Sequence, residues 1–375
     1  MSPRASTRAR VACARDDLLD DNGRTRVLAP AFRSDNVSGV CTEVIAALAN
    51  ENSGDAPAYG EDPRSRRLDA VFGDLFECDV AVFPTVTGTA ANALAIATIA
   101  PPYTSVLCHR DAHIALDEAG AVEFYGDVRL VPLPGDRGKL TPQDITQAMS
   151  GRRSSGALAF SAISIAQPTE SGGIYSREEL AALCEAAKRS GLAVHMDGAR
   201  FANAVASLDC CPADISWRAG VDVLSFGATK NGAMAAEAVI FFERQAARDL
   251  LVRRKRCGQT VSKMRFISIQ LSALIESDAW LRNARNANAQ AAALASGLAA
   301  IAGVHLVAKV ETNQIFVRLP QQLIADFAEW GIHLYRWGSS DSNTVRLVTS
   351  FDTQEAQVMS FLQLAQNSAR RRQRC

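Results

Sequence analysis

Three polar segments, each standing just after a strongly apolar run, carry the residue types this sequence could use for chemistry. Thr87-Gly88-Thr89 follows DVAVFP and opens the alanine-rich stretch AANALAIATIA. A helix beginning there offers unpaired backbone N–H groups and the positive end of its dipole. Glycine lets an anion approach the main chain and threonine adds a hydroxyl, so a phosphate fits. Asp197 closes LAVHMD and is followed by Gly198-Ala199-Arg200. A carboxylate there can keep a ring nitrogen protonated, and Arg200 can bind a carboxylate or a phenolic oxygen. Lys230 lies in SFGATKNGA, among small residues just beyond VDVLSF. Burial would favour its uncharged amine, a nucleophile able to form a Schiff base with an aldehyde. Taken singly, these are equally an N-cap threonine, a helix-capping aspartate and a loop lysine. Taken together, they match the phosphate, ring nitrogen and aldehyde of one cofactor.

The elements that must position these groups alternate along the chain. Leu68, Val71, Phe72, Leu75 and Phe76 recur at helical spacing between Glu61 and Glu77, and DVAVFP then reads as a strand. SVLCH, DVRLVPLP, GALAFSAIS, LAVHMD, VDVLSFG and EAVIFF continue the strand series. Helices are predicted over ALDEAGAVEF and over TPQDITQAM, the second opened by Thr141 with Pro142 at its first position. Ser176 and Glu179 have capping-box spacing on REELAALCEAAKRS, which Gly191 ends. Apolar strands separated mostly by helices predict an α/β fold with a mostly parallel seven-stranded sheet. Its ligands should bind at the carboxyl ends of the strands. From Ser262 a long helical stretch to Ala300 leads into HLVAK, NQIFVRL, a helix near Ala325, LYRW, TVRLVTS and a last helix. That pattern predicts a smaller α+β domain. The expected organisation is a flexible extension over 1–29, a large cofactor-binding domain over 30–265 and a C-terminal domain over 266–375 that ends in a basic tail.

Composition excludes several classes. Forty Lys and Arg balance forty Asp and Glu, so the basic excess of a nucleic-acid binder is missing. Arg370, Arg371, Arg372 and Arg374 read as a solvated tail. No apolar run reaches the roughly 20 residues of a membrane span. The nine cysteines show no C-x-x-C spacing, and the one close pair, Cys210 and Cys211, is adjacent. This usage suits reduced thiols in a soluble cytoplasmic protein. Nothing in the spacing suggests a metal site.

Eight motifs follow one another in order: RSDN from Arg33, YGEDP from Tyr59, TGTAAN from Thr87, HIALDEAG from His113, HMDGAR from His195, the loop around Lys230, KMRF from Lys263 and VRLVTSFD from Val345. With them the chain resembles, from about Arg33 to Phe361, the L-threonine aldolase and β-eliminating lyase family of fold-type I pyridoxal-phosphate enzymes. The likeness is to bacterial low-specificity or phenylserine-aldolase-like members. The resemblance implies that Gly88 and Thr89 hold the cofactor phosphate, His113 stacks on the pyridine ring, Asp197 pairs with its nitrogen and Lys230 is the Schiff-base lysine. Arg200 would also reach the cofactor's phenolic oxygen. Ser34, Arg200 and Arg346 would grip the substrate carboxylate. Tyr59 and Arg265 would complete the substrate and cofactor sites of a neighbouring subunit, in a homotetramer arranged as a dimer of dimers.

The implied reaction is retro-aldol cleavage of L-threonine, L-allo-threonine or a relative such as L-phenylserine to glycine and an aldehyde. Elimination at Cβ is the alternative. A non-catalytic module is a remote one, since it would be expected to lack Lys230 or Asp197. His113 is the expected base at the β-hydroxyl, and His195 is expected to orient Asp197. Gln167 and Glu170, in AQPTESGG, are placed near the ring. His109, His305 and His333 read as half-buried or surface histidines. The segment TKNGAMAAEA stands where SKGLGAP is commoner in the family, which leaves the substrate range open.

Overall fold

A computed structural model describes residues 32–151, 158–338 and 342–374; the extension expected over 1–29 lies outside the described residues. Seven strands form one sheet: β1 (Ala81–Thr85), β2 (Ser105–His109), β3 (Arg129–Leu133), β4 (Phe160–Ala166), β5 (Ala193–Gly198), β6 (Val223–Gly227) and β7 (Glu237–Phe241). Their order is β1-β7-β6-β5-β4-β2-β3. All neighbours are parallel except around β7, which runs antiparallel between β1 and β6. Strands β2, β6 and β7 are buried at every position, which explains their mostly apolar sequence. The reversal of β7 has a chemical consequence. Its first residue, Glu237, pairs with Gly227, the last of β6, so a carboxyl enters the edge where the parallel strands end.

The helix Gly88–Ile99 runs along this sheet. Thr87 caps it, the hydroxyl accepting from Ala90 N at 3.2 Å. Residues Ala91 to Ala97 are all buried, so the helix has no wet face, and its alanines allow close approach to the elements around it. Both predicted caps further on are present. Thr141 and Asp144 form a capping box, as do Ser176 and Glu179, and Gly191 leaves that second helix at φ 73°.

A second, wholly antiparallel sheet contains β8 (His305–Leu306), β9 (Gln314–Arg318), β10 (Tyr335–Arg336) and β11 (Thr344–Val348), in the order β10-β11-β9-β8. The helix Ala279–Ala299 serves both cores, with Trp280 and Ala284 packed under the large sheet and Leu294 and Leu298 packed under the small one. Each such leucine contributes roughly 1.5–3 kcal/mol of burial. Val348 N donates to Phe32 O at 2.7 Å, and Phe32 meets Phe361 edge-on at 5.3 Å. Ser34 and Asp35 are thereby held beside β11, the strand that carries Arg346.

Three elements differ from expectation. ALDEAGAVEF is two short helices, His113–Leu116 and Ala121–Gly126, because Ala119 and Gly120 turn left-handed at φ 50° and 74°. The stretch from Ser262 to Ala300 is likewise broken between Arg265–Glu276 and Ala279–Ala299, with Asp278 at φ 56°. The last helix, Glu355–Arg374, runs through the segment read as a basic tail. Arg370 on it is exposed, and the side chains of Arg371, Arg372 and Arg374 lie outside the described residues.

Candidate active site

Two adjoining cavities open at the carboxyl edge of the large sheet. The inner, of about 260 Å³, is bordered by Thr87, Gly88, Thr89, Asn92, Glu118, Asp197 and Glu237. The outer, of about 500 Å³, is bordered by Ser34, Arg200, Tyr335, Trp337 and Arg346. Asn36, His113, Glu170 and Lys230 line both, so they stand where the two compartments meet.

In the inner cavity, a Cβ built on Gly88 would meet nothing within 4 Å. The helix N-terminus therefore faces open space that an anion could fill. Asp197, at the end of β5, is nearly buried. Its Oδ1 accepts from Ala199 N at 3.0 Å and its Oδ2 from Asn92 Nδ2 at 2.9 Å. Asn92 Nδ2 also donates to Glu118 Oε1 at 2.8 Å, and the same oxygen lies 2.8 Å from His113 Nδ1. One polar chain thus links His113 to Asp197. The Glu118 bond, opposed by burial and aided by the charges of Glu170 and Asp197, raises the pKa of His113. Burial raises that of Glu118. The left-handed turn at Ala119 and Gly120 that splits the predicted helix follows directly after this carboxyl.

Lys230 sits in a tight turn, Thr229–Asn231, directly after β6. The turn is fastened on every side. Asn231 Nδ2 donates to Trp280 O at 2.6 Å, Asn283 Nδ2 to Asn231 O at 2.9 Å, and Cys41 N to Gly232 O at 2.9 Å. Gly232 is left-handed at φ 109°, where a side chain would also run into Asn283. Gly227 is required for a second reason: any Cβ there would collide with the Ala199 carbonyl, so the Asp197 turn and the lysine turn pack backbone to backbone. Glu237 Oε2 accepts from Ala228 N at 3.0 Å, and burial pushes its carboxyl up to about 7.

The outer cavity carries both signs of charge, bordered by Arg200, Lys230 and Arg346 and by Asp111, Asp117 and Glu170. Arg346 lies over Tyr335 at 4.6 Å and Trp337 at 5.4 Å, and its buried Nε has no partner among the described residues. Burial, then the nearby Arg200 charge, lowers its pKa. Arg200 is buried and bidentate on Asp35, at 2.6 and 2.9 Å, while Asn313 Nδ2 donates to Asp35 Oδ2 at 3.0 Å. Arg200 therefore reaches the cavity with its Nε and one terminal nitrogen already committed, a narrower role than the free clamp expected of it. Ser34 Oγ accepts from Asn36 N at 3.1 Å at the same rim.

Three expectations need correction. His195 does not hydrogen-bond Asp197; its ring bridges Ser164 Oγ at 2.8 Å and Ser225 Oγ at 2.9 Å, tying β4, β5 and β6 together, and burial lowers its pKa to about 4. Gln167 does not line either cavity, because its amide is used on both the N–H and the C=O of Tyr175, each at 3.0 Å. His109 is buried rather than half-exposed, accepting from Asp111 N at 3.0 Å. Tyr59 and Arg265, expected to serve a neighbouring subunit, border neither cavity of their own chain. Tyr59 is 59% exposed, and Arg265 Nη1 donates to Gly54 O at 3.2 Å. Sequence reasoning missed Asn92, Glu118, Asp35 and Glu237. The first three lie within the motifs TGTAAN, HIALDEAG and RSDN, where a second polar residue beside the expected one was the available signal. Glu237 had only its place in TKNGAMAAEA.

The residues present fit pyridoxal phosphate. Open space at the Gly88 helix start suits the phosphate, Asp197 suits the ring nitrogen, and the Lys230 amine suits the aldehyde. Comparison with known proteins agrees. The family model of the beta-eliminating lyases matches residues 31–322. A low-specificity L-threonine aldolase of a Pseudomonas species is 42% identical over 328 residues, 87% of this chain and 94% of that protein. One from Pseudomonas aeruginosa is 42% identical over 323 residues, 86% and 93% of the two chains. A solved threonine aldolase structure from Leishmania major superposes with a TM-score of 0.85 at 28% identity, covering 90% of this chain and 99% of that one.

Proposed function

This chain belongs to the beta-eliminating lyase family, and from that premise we propose that it is a pyridoxal-phosphate aldolase that cleaves L-threonine to glycine and acetaldehyde. One observation carries the reading. Lys230 stands at the junction of a cavity edged by Asp197 and the Gly88 helix start and a second one edged by the under-paired Arg346. The family uses pyridoxal phosphate. When bound, it supplies an electron sink for the pair released at Cα.

Every other step is the work of the chain. Gly88 and Thr89 take the phosphate through backbone N–H groups and the threonine hydroxyl. Asp197, held by Asn92 and Ala199, is the carboxylate that would pair with the ring nitrogen and favour its protonated form. His113, fixed by Glu118, is the side chain that would cover the ring. Lys230 is the amine that would hold the aldehyde. Arg346 receives the substrate carboxylate with help from Arg200 and Ser34, which orients the Cα–Cβ bond for cleavage. Leu116, Tyr335 and Trp337 give the outer cavity apolar walls, which supports a range extending through L-allo-threonine to L-phenylserine.

The assembly is a homo-oligomer, a dimer of dimers, in which Tyr59 and Arg265 serve a neighbouring subunit. The exposure of Tyr59, Phe124, Leu251 and Val252 supports this. A cytoplasmic location is supported by seven free cysteines among the described residues, where also no helix is long and apolar enough to cross a membrane. The purified chain with pyridoxal phosphate should release glycine and an aldehyde in equal amounts from all three amino acids. Ammonia with a keto acid would instead identify elimination.

A further inference from the structure

Glu170 is the carboxylate that borders both compartments, together with Lys230 and His113. Among the described residues it has no hydrogen-bond or ion-pair partner. The other carboxylates of the inner cavity are committed: Asp197 to Asn92 and Ala199, Glu118 to His113 and Asn92, Glu237 to Ala228. The turn that carries Glu170 is built with unusual completeness. Gln167 clamps both backbone groups of Tyr175. Thr169 Oγ1 donates to Arg137 O at 2.7 Å and accepts from Gly173 N at 3.0 Å. Thr169 N and Gly172 N close the turn at 2.8 and 2.9 Å. Gly172 is left-handed at φ 72°. A rigid turn with its polar groups satisfied therefore presents one unpaired carboxylate at the junction of the two cavities, toward the charges of His113, Arg200 and Arg346.

We propose that Glu170 is the base that takes the proton from the substrate β-hydroxyl. The inference rests on the aldolase reading above. With the substrate amine at Lys230 and its carboxylate at Arg346, the β-carbon lies at the same junction. The hydroxyl proton passes to the Glu170 carboxylate and the O–H electron pair becomes the second bond of the aldehyde C=O. The Cα–Cβ bond breaks, and its electron pair stays with Cα until a proton arrives there and gives glycine. His113 is engaged otherwise: Glu118 holds its Nδ1, a bond that raises its pKa and so favours the protonated ring.

The test compares wild type with Glu170→Gln and Glu170→Ala, each loaded with pyridoxal phosphate. Removing a general base costs about 10²- to 10⁴-fold in turnover. The proposal expects that loss in kcat for L-threonine, while glycine, which lacks the hydroxyl, binds by calorimetry with wild-type affinity and the cofactor is retained. Added formate should restore part of the Glu170→Ala rate. Threonine cleavage by Glu170→Gln at the wild-type rate would overturn the proposal and leave the aldolase reading intact. So would a loss accompanied by weakened glycine binding and no formate rescue, which would mark Glu170 as structural. A wild-type protein that cleaves none of the β-hydroxy amino acids would sink both.

Discussion

Replacing Glu237 by Gln should stabilise the cofactor-free protein, and by an amount that grows with pH. Glu237 is 8% exposed and accepts from Ala228 N at 3.0 Å. Burial is the largest influence on it and outweighs the opposing help of Thr229, Lys230 and the Ala228 N–H, which puts its pKa near 7 against an ordinary 4.5. The folded state thus binds more protons than the unfolded one between those values, so stability falls as pH rises through that window and then levels off above the folded value. The fall is about 3 kcal/mol by pH 8 and under about 1 kcal/mol at pH 5. Glutamine cannot ionise, yet its carbonyl can still accept from Ala228 N. Urea unfolding at both pH values should therefore find the Gln variant ahead by about 3 kcal/mol at pH 8 and nearly level at pH 5. A variant less stable at pH 8, or a difference independent of pH, would refute this account of the buried carboxyl.

Two further outcomes follow from the charged groups of the outer cavity. Arg346→Ala should raise KM for L-threonine by about 10- to 150-fold, the equivalent of one charge-assisted hydrogen bond worth roughly 1.5–3 kcal/mol, with kcat changed far less. Steady-state kinetics decide it, and an unchanged KM would assign the carboxylate to other residues. Asp35→Asn leaves the Arg200 guanidinium buried without its counter-charge and should destabilise the protein by about 3–5 kcal/mol in denaturant unfolding at neutral pH. Burial pushes Asp35 upward, but Arg200, Lys230 and Asn313 together hold its pKa below the usual 3.8. The pair's contribution is accordingly complete above about 3.8 and is lost as pH falls through the depressed value, so the penalty of the Asn variant should shrink in strong acid.

Much of the fold was legible because its signals are local. Strands buried on both faces are mostly apolar, as SVLCH and VDVLSFG are, and Ser176 with Glu179 announces a helix start within four residues. Asp197 and Lys230 were legible because a residue that ends a strand in such a sheet faces the ligand edge. What stayed hidden depended on contacts distant in sequence. Arg200 was identified, but its ion pair with Asp35 closes over 165 positions. The fate of His195 was decided by serines on the two flanking strands, which spacing along its own strand cannot reveal. The breaks at Ala119 and Asp278 occur at non-glycine residues in left-handed geometry, for which the sequence carries no cheap marker. Glu237 escaped notice because its importance comes from the reversed direction of β7, a property of the sheet and not of the segment.

The central claim is that Lys230 makes this chain an L-threonine-cleaving enzyme, and it is tested most directly by comparing wild type with Lys230→Ala, both supplied with pyridoxal phosphate and L-threonine. Wild type should bind the cofactor covalently, so that borohydride reduction fixes it to the peptide containing Lys230, and should release glycine and acetaldehyde together. The variant should show neither the labelled peptide nor sustained product release. Equal turnover by the two proteins, or a label on another lysine, would contradict the account.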